Sequence, residues 1–235
     1  MNNKCIAIIP ARGGSKRIPH KNIKPFLGKP IIQYSIEAAF ESNLFDEVMV
    51  STDDNEIADI SKKLGAKVPF IRNETTANDH AGLADVIEEV LTNYKKEGKN
   101  FDIFCCMLAT APFITIEKLK EGFDYLNNKN FFSVFSILPY SYPIQRALKI
   151  ENEKVSMINP ENYNKRSQDL ITTYHDCGQF YWMKTDKFLE EKKLFTNNSG
   201  AIIFSEMESH DIDTEEDWDI AEMKYKIINK INLNC

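Results

Sequence analysis

Between residues 5 and 36 the chain carries Arg12, Lys16, Arg17, Lys21, Lys24 and Lys29 and no aspartate or glutamate, although its formal net charge is −6. The run IAIIPARGGSKRIPHKNIKPFLGKP opens on Ile6-Ala7-Ile8-Ile9, an apolar stretch of the kind that forms a buried strand. Gly13, Gly14 and Ser15 then give the turn a backbone that can approach a ligand closely. Backbone N–H groups, a guanidinium and several ammonium groups gathered in one loop make an anion site. A triphosphate is the anion this reading selects. The spacing is neither GxxxxGK[ST] nor GxGxxG, so neither a Walker loop nor a dinucleotide fingerprint is present. A basic loop that is merely solvated is the alternative, and the Gly-Gly turn directly after an apolar strand counts against it.

A second group is HDIDT, His210 to Thr214. Asp211 and Asp213 are two residues apart, so extended backbone points both carboxylates to one face. Such a pair suits Mg²⁺, which takes oxygen ligands and keeps water and substrate phosphates in its shell. The same acids could instead decorate a helix N-terminus, where Asp213, Glu215, Glu216 and Asp217 all favour the helix dipole. A third group runs from Arg166 to Trp182, in RSQDL…YHDCGQFYW. Arg166 can fork onto a carboxylate, and Gln168, Asp169, His175 and Asp176 lie beside an aromatic strand, a combination able to orient a polyhydroxylated substrate. Each of these residues taken alone could equally be a surface hydrogen bonder.

The elements that must position these groups alternate between apolar runs and helical patterns. Strands are expected at 5–9, 46–51, 67–71, 102–108, 131–137, 178–183 and 201–205. Helices are expected at 30–43, with Pro30 in its first turn; at 54–64, stopped by Gly65; at 79–96; at 116–128; and at 214–231, with Thr214 as N-cap and Asp217 three residues on. This order predicts an α/β fold with a mainly parallel, doubly wound sheet, whose ligands bind beyond the carboxyl ends of the strands. The basic loop, STDD at 51–54 and ATAPF at 109–113 all fall at that edge. Residues 139–176 read as an excursion, a β-hairpin or arm that covers the site or joins a partner subunit.

A length of 235 residues fits one α/β domain. The acidic balance argues against nucleic-acid or anionic-membrane binding. No apolar run is long enough for a transmembrane helix, and the N-terminus does not read as a secretory signal. Cys5, Cys105, Cys106, Cys177 and Cys235 lack metal-ligand spacing and read as reduced thiols of a cytoplasmic protein.

Together these pieces resemble the cytidylyltransferases that activate nonulosonic and related acidic sugars, the CMP-sialic acid synthetase group. IAIIPARGGSKRIPHKNI looks like that family's CTP loop, and PIIQYSIEAA, VSTDD and HDIDTEED follow in the family's order. Within the group, ATAPF, RSQDLITTYHDCGQFYW and DIDTEEDW look most like the enzymes for pseudaminic acid. Leu108 stands where N-acetylneuraminate enzymes carry a Gln, and His175-Asp176-Cys177-Gly178 stands near their Arg-Pro-Asn-Gly turn. Both departures lie where that family meets its sugar.

The resemblance implies a Rossmann-like nucleotidyltransferase of one domain, with 139–176 as a dimerisation arm reaching toward the partner's site. CMP would pass from CTP to the anomeric hydroxyl of the sugar acid. Arg12, Gly13, Gly14, Ser15, Lys16 and Lys21 would hold the triphosphate, with Lys21 at the α-phosphate. Asn22, Arg72 and Asp79 would line the nucleotide pocket, and Asp211 and Asp213 would hold Mg²⁺. Leu108, Thr110, Arg166, Gln168, Asp169, His175 and Asp176 would meet the sugar. N-acetylneuraminate, legionaminate or 3-deoxy-manno-octulosonate as acceptor, a sugar-phosphate nucleotidyltransferase, and a non-catalytic CTP sensor remain as alternatives.

Overall fold

A computed structural model describes residues 3–78 and 81–231. The strands are β1 (Cys5–Pro10), β2 (Pro25–Phe26), β3 (Lys29–Pro30), β4 (Glu47–Ser51), β5 (Ile103–Met107), β6 (Ser133–Pro139), β7 (Leu148–Glu151), β8 (Lys154–Met157), β9 (Tyr174–Lys184) and β10 (Ser199–Ile203). The α-helices are α1 (Ile31–Ser42), α2 (Asn55–Lys63), α3 (Glu74–Ala77), α4 (Leu83–Lys96), α5 (Ile116–Asn128), α6 (Thr185–Glu191) and α7 (Glu215–Ile228). None of them is long and apolar enough to cross a membrane.

Six strands form the central sheet in the order β10-β6-β9-β5-β1-β4. β1 runs parallel to both β4 and β5, and β6 parallel to β10, while β9 is antiparallel to both its neighbours. The expected mainly parallel sheet is thus present, with one reversed strand inside it. Alternation of side chains divides the core. Cys5, Ala7 and Ile9 join α1, α2 and α5 in one cluster, whereas Ile6 and Ile8 join α4 and α6 in another. Cys105 and Cys106 point to opposite faces in the same way, both fully buried. Burial pushes the Cys106 thiol up to about 12, as it does Cys5, which makes both inert. Cys235 lies outside the described residues. A third cluster joins Ile18, Phe26, Ile31, Ile212 and Trp218, and so packs α7 against α1 and the basic loop.

Local chemistry explains most boundaries. Asp54 caps α2 by accepting from Glu56 N and Ile57 N, and Gly65 takes φ +93 beyond its end. α7 opens on the Thr214/Asp217 capping box. Three features differ from expectation. The strand at 67–71 shrinks to a bridge between Met49 and Lys67, because Pro69 cannot donate to a ladder. α6, at TDKFLEE, is too short for helical periodicity to announce it. β9 is longer than expected because a register shift opposite Phe135 to Ile137, with Gly178 at φ +62, lets the strand resume after a bulge.

The excursion is a hairpin, β7 against β8, turning through Asn152 (φ 49) and Glu153 (φ 64), two positive φ values in the manner of a type I′ turn. Its apolar side chains are bare: Ile150 is 74% exposed, Val155 62% and, beyond the hairpin, Ile171 83%.

Gly122 on α5 packs against the sheet so closely that an added Cβ would stand 2.8 Å from Trp182 Cδ1 and 3.0 Å from Phe180 Cε2. Both rings are fully buried and have nowhere to go. Gly122→Ala is therefore expected to destabilise the fold by about 1–3 kcal/mol, overpacking outweighing the helix-propensity gain of about 1 kcal/mol. Urea unfolding checks this, and an unchanged or raised midpoint would refute the packing argument.

Candidate active site

β1, β4 and β5 are parallel, so their carboxyl ends share one edge. The basic loop leaves β1 there and is fastened to the end of β4: Ala11 N donates to Ser51 O at 2.9 Å and Gly13 N to Asp53 Oδ1 at 3.0 Å. A Cβ on Gly13 would meet Asp54 Oδ2 at 2.7 Å, and Asp54 is fixed by its capping bonds, so glycine is required at this approach. The loop closes on itself where buried Asn22 donates to Arg12 O at 2.9 Å from the short helix Lys21–Ile23.

These constraints open a cleft of about 330 Å³. Of the expected residues, Arg12, Ser15, Lys16, Lys21, Asn22, Arg72, Leu108, Thr110 and Asp213 line it. Gly13 and Gly14 lie in the loop behind its wall. Asp79 lies outside the described residues. Arg72 is buried, donating through Nε to Ser51 Oγ at 3.0 Å and through Nη2 to Ser51 O. Burial pushes its guanidinium below the ordinary arginine value, while Asp53 and Glu89 pull it back up. Arg12 donates to Asn78 O at 3.3 Å.

The HDIDT segment meets this cleft from the other end of the chain. Ile212 is buried in the third cluster, which leaves Asp211 and Asp213 on the opposite side of the extended backbone. Asp213 Oδ1 lies 2.9 Å from Arg17 Nη2 and 3.5 Å from Lys21 Nζ, and Lys21 also donates to Ile212 O at 2.6 Å. The helix-cap reading of the neighbouring acids is met by Asp217. Asp217 caps α7, while Asp211 and Asp213 stay outside that cap as a close pair of carboxylates, with no hydrogen bond to the Asp211 side chain among the described residues. Two hard oxygen donors beside an anion cleft are a chemically fitting set for a divalent cation that brings phosphate and water as its other ligands.

The third group behaves differently. Arg166 and Asp169 form a two-pronged ion pair with each other at 2.8 and 2.9 Å, on the exposed turn that also carries Gln168. Asp176 accepts from Tyr181 OH at 2.6 Å and from Gly178 N at 3.0 Å. His175 stacks near Tyr140, ring centroids 4.8 Å apart, with Nδ1 2.9 Å from Asp176 O. None of these five lines the cleft of its own chain. The bulge is nonetheless adjacent, since a Cβ on Gly178 would lie 3.2 Å from Leu108 Cδ1 in the cleft wall.

Two contributors were missed at the level of sequence. Arg17 belongs to the basic run yet had no role, and it lines the cleft and pairs with Asp213. Asp53 pins Gly13, and its position in STDD at the end of a parallel strand was the available signal.

A family model described as Cytidylyltransferase matches residues 6–233. The chain belongs to the cytidylyltransferase family. Among cytidylyltransferase relatives, it is 42% identical over 229 residues to the pseudaminic acid cytidylyltransferase of Campylobacter jejuni subsp. jejuni serotype O:2, covering 97% of each chain. It is 30% identical over 226 residues to the CMP-N,N'-diacetyllegionaminic acid synthase of Legionella pneumophila, covering 93% of this chain and 95% of that one. The structure of CMP:2-keto-3-deoxy-manno-octonic acid synthetase complexed with CTP superposes with TM-score 0.71 over 97% of this chain and 100% of that chain, at 18% identity, and so shares the fold. The Rossmann-like nucleotidyltransferase architecture expected from the sequence is borne out.

In this cytidylyltransferase the Asp211 carboxyl is held above the ordinary carboxylate range, first by burial and then by Asp213, with Lys21 opposing. A carboxyl raised on folding costs stability while ionised, above both its pKa values, and that cost vanishes below the unfolded value of about 4. Asp211→Asn is therefore expected to raise the thermal midpoint at pH 7, by only about 1–2 °C because the residue is open to solvent on one side and its carboxyl is only partly desolvated. The gain should fade as pH falls to about 4. Calorimetry at the two pH values tests the sign, and a lowered midpoint at pH 7 would mean that Asp211 is not under repulsion.

Proposed function

We propose that the chain transfers CMP from CTP to the anomeric hydroxyl of a nonulosonic acid, with pseudaminic acid as the acceptor, and releases pyrophosphate. The observation that carries the reading is the 42% identity, over 97% of both chains, to the Campylobacter enzyme named for that acid. The cleft supports the chemistry independently. It gathers Arg12, Lys16, Lys21 and Arg72 opposite Asp213, as a polyanion with an accompanying cation requires.

The sugar oxygen attacks the α-phosphorus, its P–O bond forms, and the bond to the pyrophosphate oxygen breaks. The protein's task is positioning and charge stabilisation. Asn22 and Asp53 hold the loop in shape from its two ends. Lys21, held now by Ile212 O and Asp213, exchanges that contact for the α-phosphate when the triphosphate enters. Arg12, Ser15 and Lys16 bind the remaining phosphates. Asp211 and Asp213 would hold Mg²⁺, whose chemistry there would be to neutralise phosphate charge and lower the pKa of the attacking hydroxyl. Arg72 and Asp79 line the nucleotide pocket, and Leu108 and Thr110 meet the acceptor.

The whole chain acts as one catalytic unit whose 139–176 arm pairs two copies. Support comes from the bare Ile150, Val155 and Ile171, which a monomer would leave in water. In such a dimer Arg166, Gln168, Asp169, His175 and Asp176 serve a cleft that includes the second copy's arm, which accounts for their distance from the cleft of their own chain.

Pyrophosphate release from CTP and Mg²⁺ should occur with pseudaminic acid and not with N-acetylneuraminate or 3-deoxy-manno-octulosonate. Release with another acid alone would keep the chemistry and replace the acceptor; CTP binding without release from any acid would point to a sensor. Lys21→Ala should lower kcat by about 10²-fold or more. A change confined to KM would reduce Lys21 to ground-state binding.

A further inference from the structure

The segment from the end of β10 to the start of α7 has no regular structure, yet it places Asp213 in the cleft wall with Asp211 two residues before it. Its downstream half is held from two sides. Asp217 accepts from Asp213 N at 3.1 Å and Thr214 N at 2.8 Å, and Lys21 donates to Ile212 O at 2.6 Å. In the upstream half Ser205 N donates to Glu208 Oε2 at 2.9 Å within the segment itself, and the side chain that ties this half to α7 is Lys224. Lys224, two turns into α7, directs its ammonium at Glu206 O (2.6 Å), Ser209 O (3.1 Å) and His210 Nδ1 (3.3 Å).

A lysine ammonium has three protons, and here each has an acceptor on the same short segment. Among the described residues Lys224 forms no ion pair with a carboxylate, so it is not one of the surface pairs that contribute little. The side-chain tethers from Ser209 to the sheet are long. Gln179 Nε2 to Ser209 Oγ and Ser209 Oγ to Cys177 O are both 3.4 Å. Accepting from Lys224 at Nδ1 leaves the His210 proton on Nε2, 3.7 Å from Asp217 Oδ1 and too far to bond it. The Asp211 side chain has no hydrogen bond of its own among the described residues, so its aim is set by the backbone on either side. Lys224 does not line the cleft and cannot touch a substrate there.

We infer that Lys224 is a positioning residue for the cation-holding carboxylates: by clamping Glu206–His210 from α7 it fixes the backbone that aims Asp211. This rests on the reading of Asp211 and Asp213 as cation ligands given above. Removing an outer partner of a metal ligand typically costs about 10–100-fold in metal affinity. Lys224→Met keeps the aliphatic stem and deletes all three donors; Lys224→Arg keeps donors in the same place.

The test uses Mn²⁺ as probe, its free concentration read by electron paramagnetic resonance in the presence of CTP, with CTP affinity also measured in metal-free buffer. Lys224→Met is expected to bind Mn²⁺ about 10-fold more weakly. Its CTP affinity without metal should stay within about twofold, and Lys224→Arg should recover most of the loss. Unchanged Mn²⁺ affinity in folded Lys224→Met, while Asp211→Asn loses it, overturns the role of Lys224 and leaves the carboxylates in place. If Asp211→Asn also binds Mn²⁺ normally, the cation reading itself falls and takes this inference with it. Equal loss of metal-free CTP binding would mark Lys224 as a general prop of the site and overturn the proposal. Should Lys224→Met not fold, Lys224→Gln, which retains a single donor group, replaces it with the same expected loss.

Discussion

Lys21 joins the two ends of the chain. Its ammonium reaches Ile212 O and Asp213 across 191 residues of sequence, and the cleft exists between those partners. A basic loop without acids would repel itself, and two neighbouring carboxylates would do the same. Each group is tolerable because the other stands opposite. In the function proposed above, a triphosphate and its cation would exchange these partners instead of building a site from solvated side chains.

The sheet makes that meeting possible by placing three parallel strands side by side. β1 delivers the basic loop, β4 supplies Asp53 and Asp54 as its footing, and β5 ends at Leu108 in the opposite wall. β9 departs from the pattern by running antiparallel beside β5. Its reversed direction brings the bulge at Asp176–Gly178 alongside Leu108, at the same edge as the cleft. One strand of opposite sense therefore sets a bulge against the wall of a site otherwise built from parallel strand ends.

The arm follows another rule. Its hairpin pairs correctly and turns tightly, but it buries almost none of its own apolar surface. Arg166 and Asp169 neutralise each other on its exposed turn. Local hydrogen bonding suffices to shape such an element without burial of its side chains against the rest of the chain.

Much of this was legible in the residues. Apolar runs, Gly65, the Thr214/Asp217 cap and the alternation at Cys105-Cys106 are local signals, and local signals depend only on near neighbours in sequence. The family motifs were legible for the same reason, each being a short stretch with fixed spacing. Pro69, the bulge at Gly178 and short α6 were not, because strand pairing and packing override propensity over a few residues. The order of residues specifies which groups are available: a cationic loop, an aspartate pair and an excursion rich in apolar side chains. That Arg17 and Lys21 face Asp213, that Asp53 holds Gly13, and that Arg166 and His175 stand away from their own cleft follows from the folded arrangement. These are contacts between residues far apart in the chain, and their geometry is set by the packing of the whole sheet.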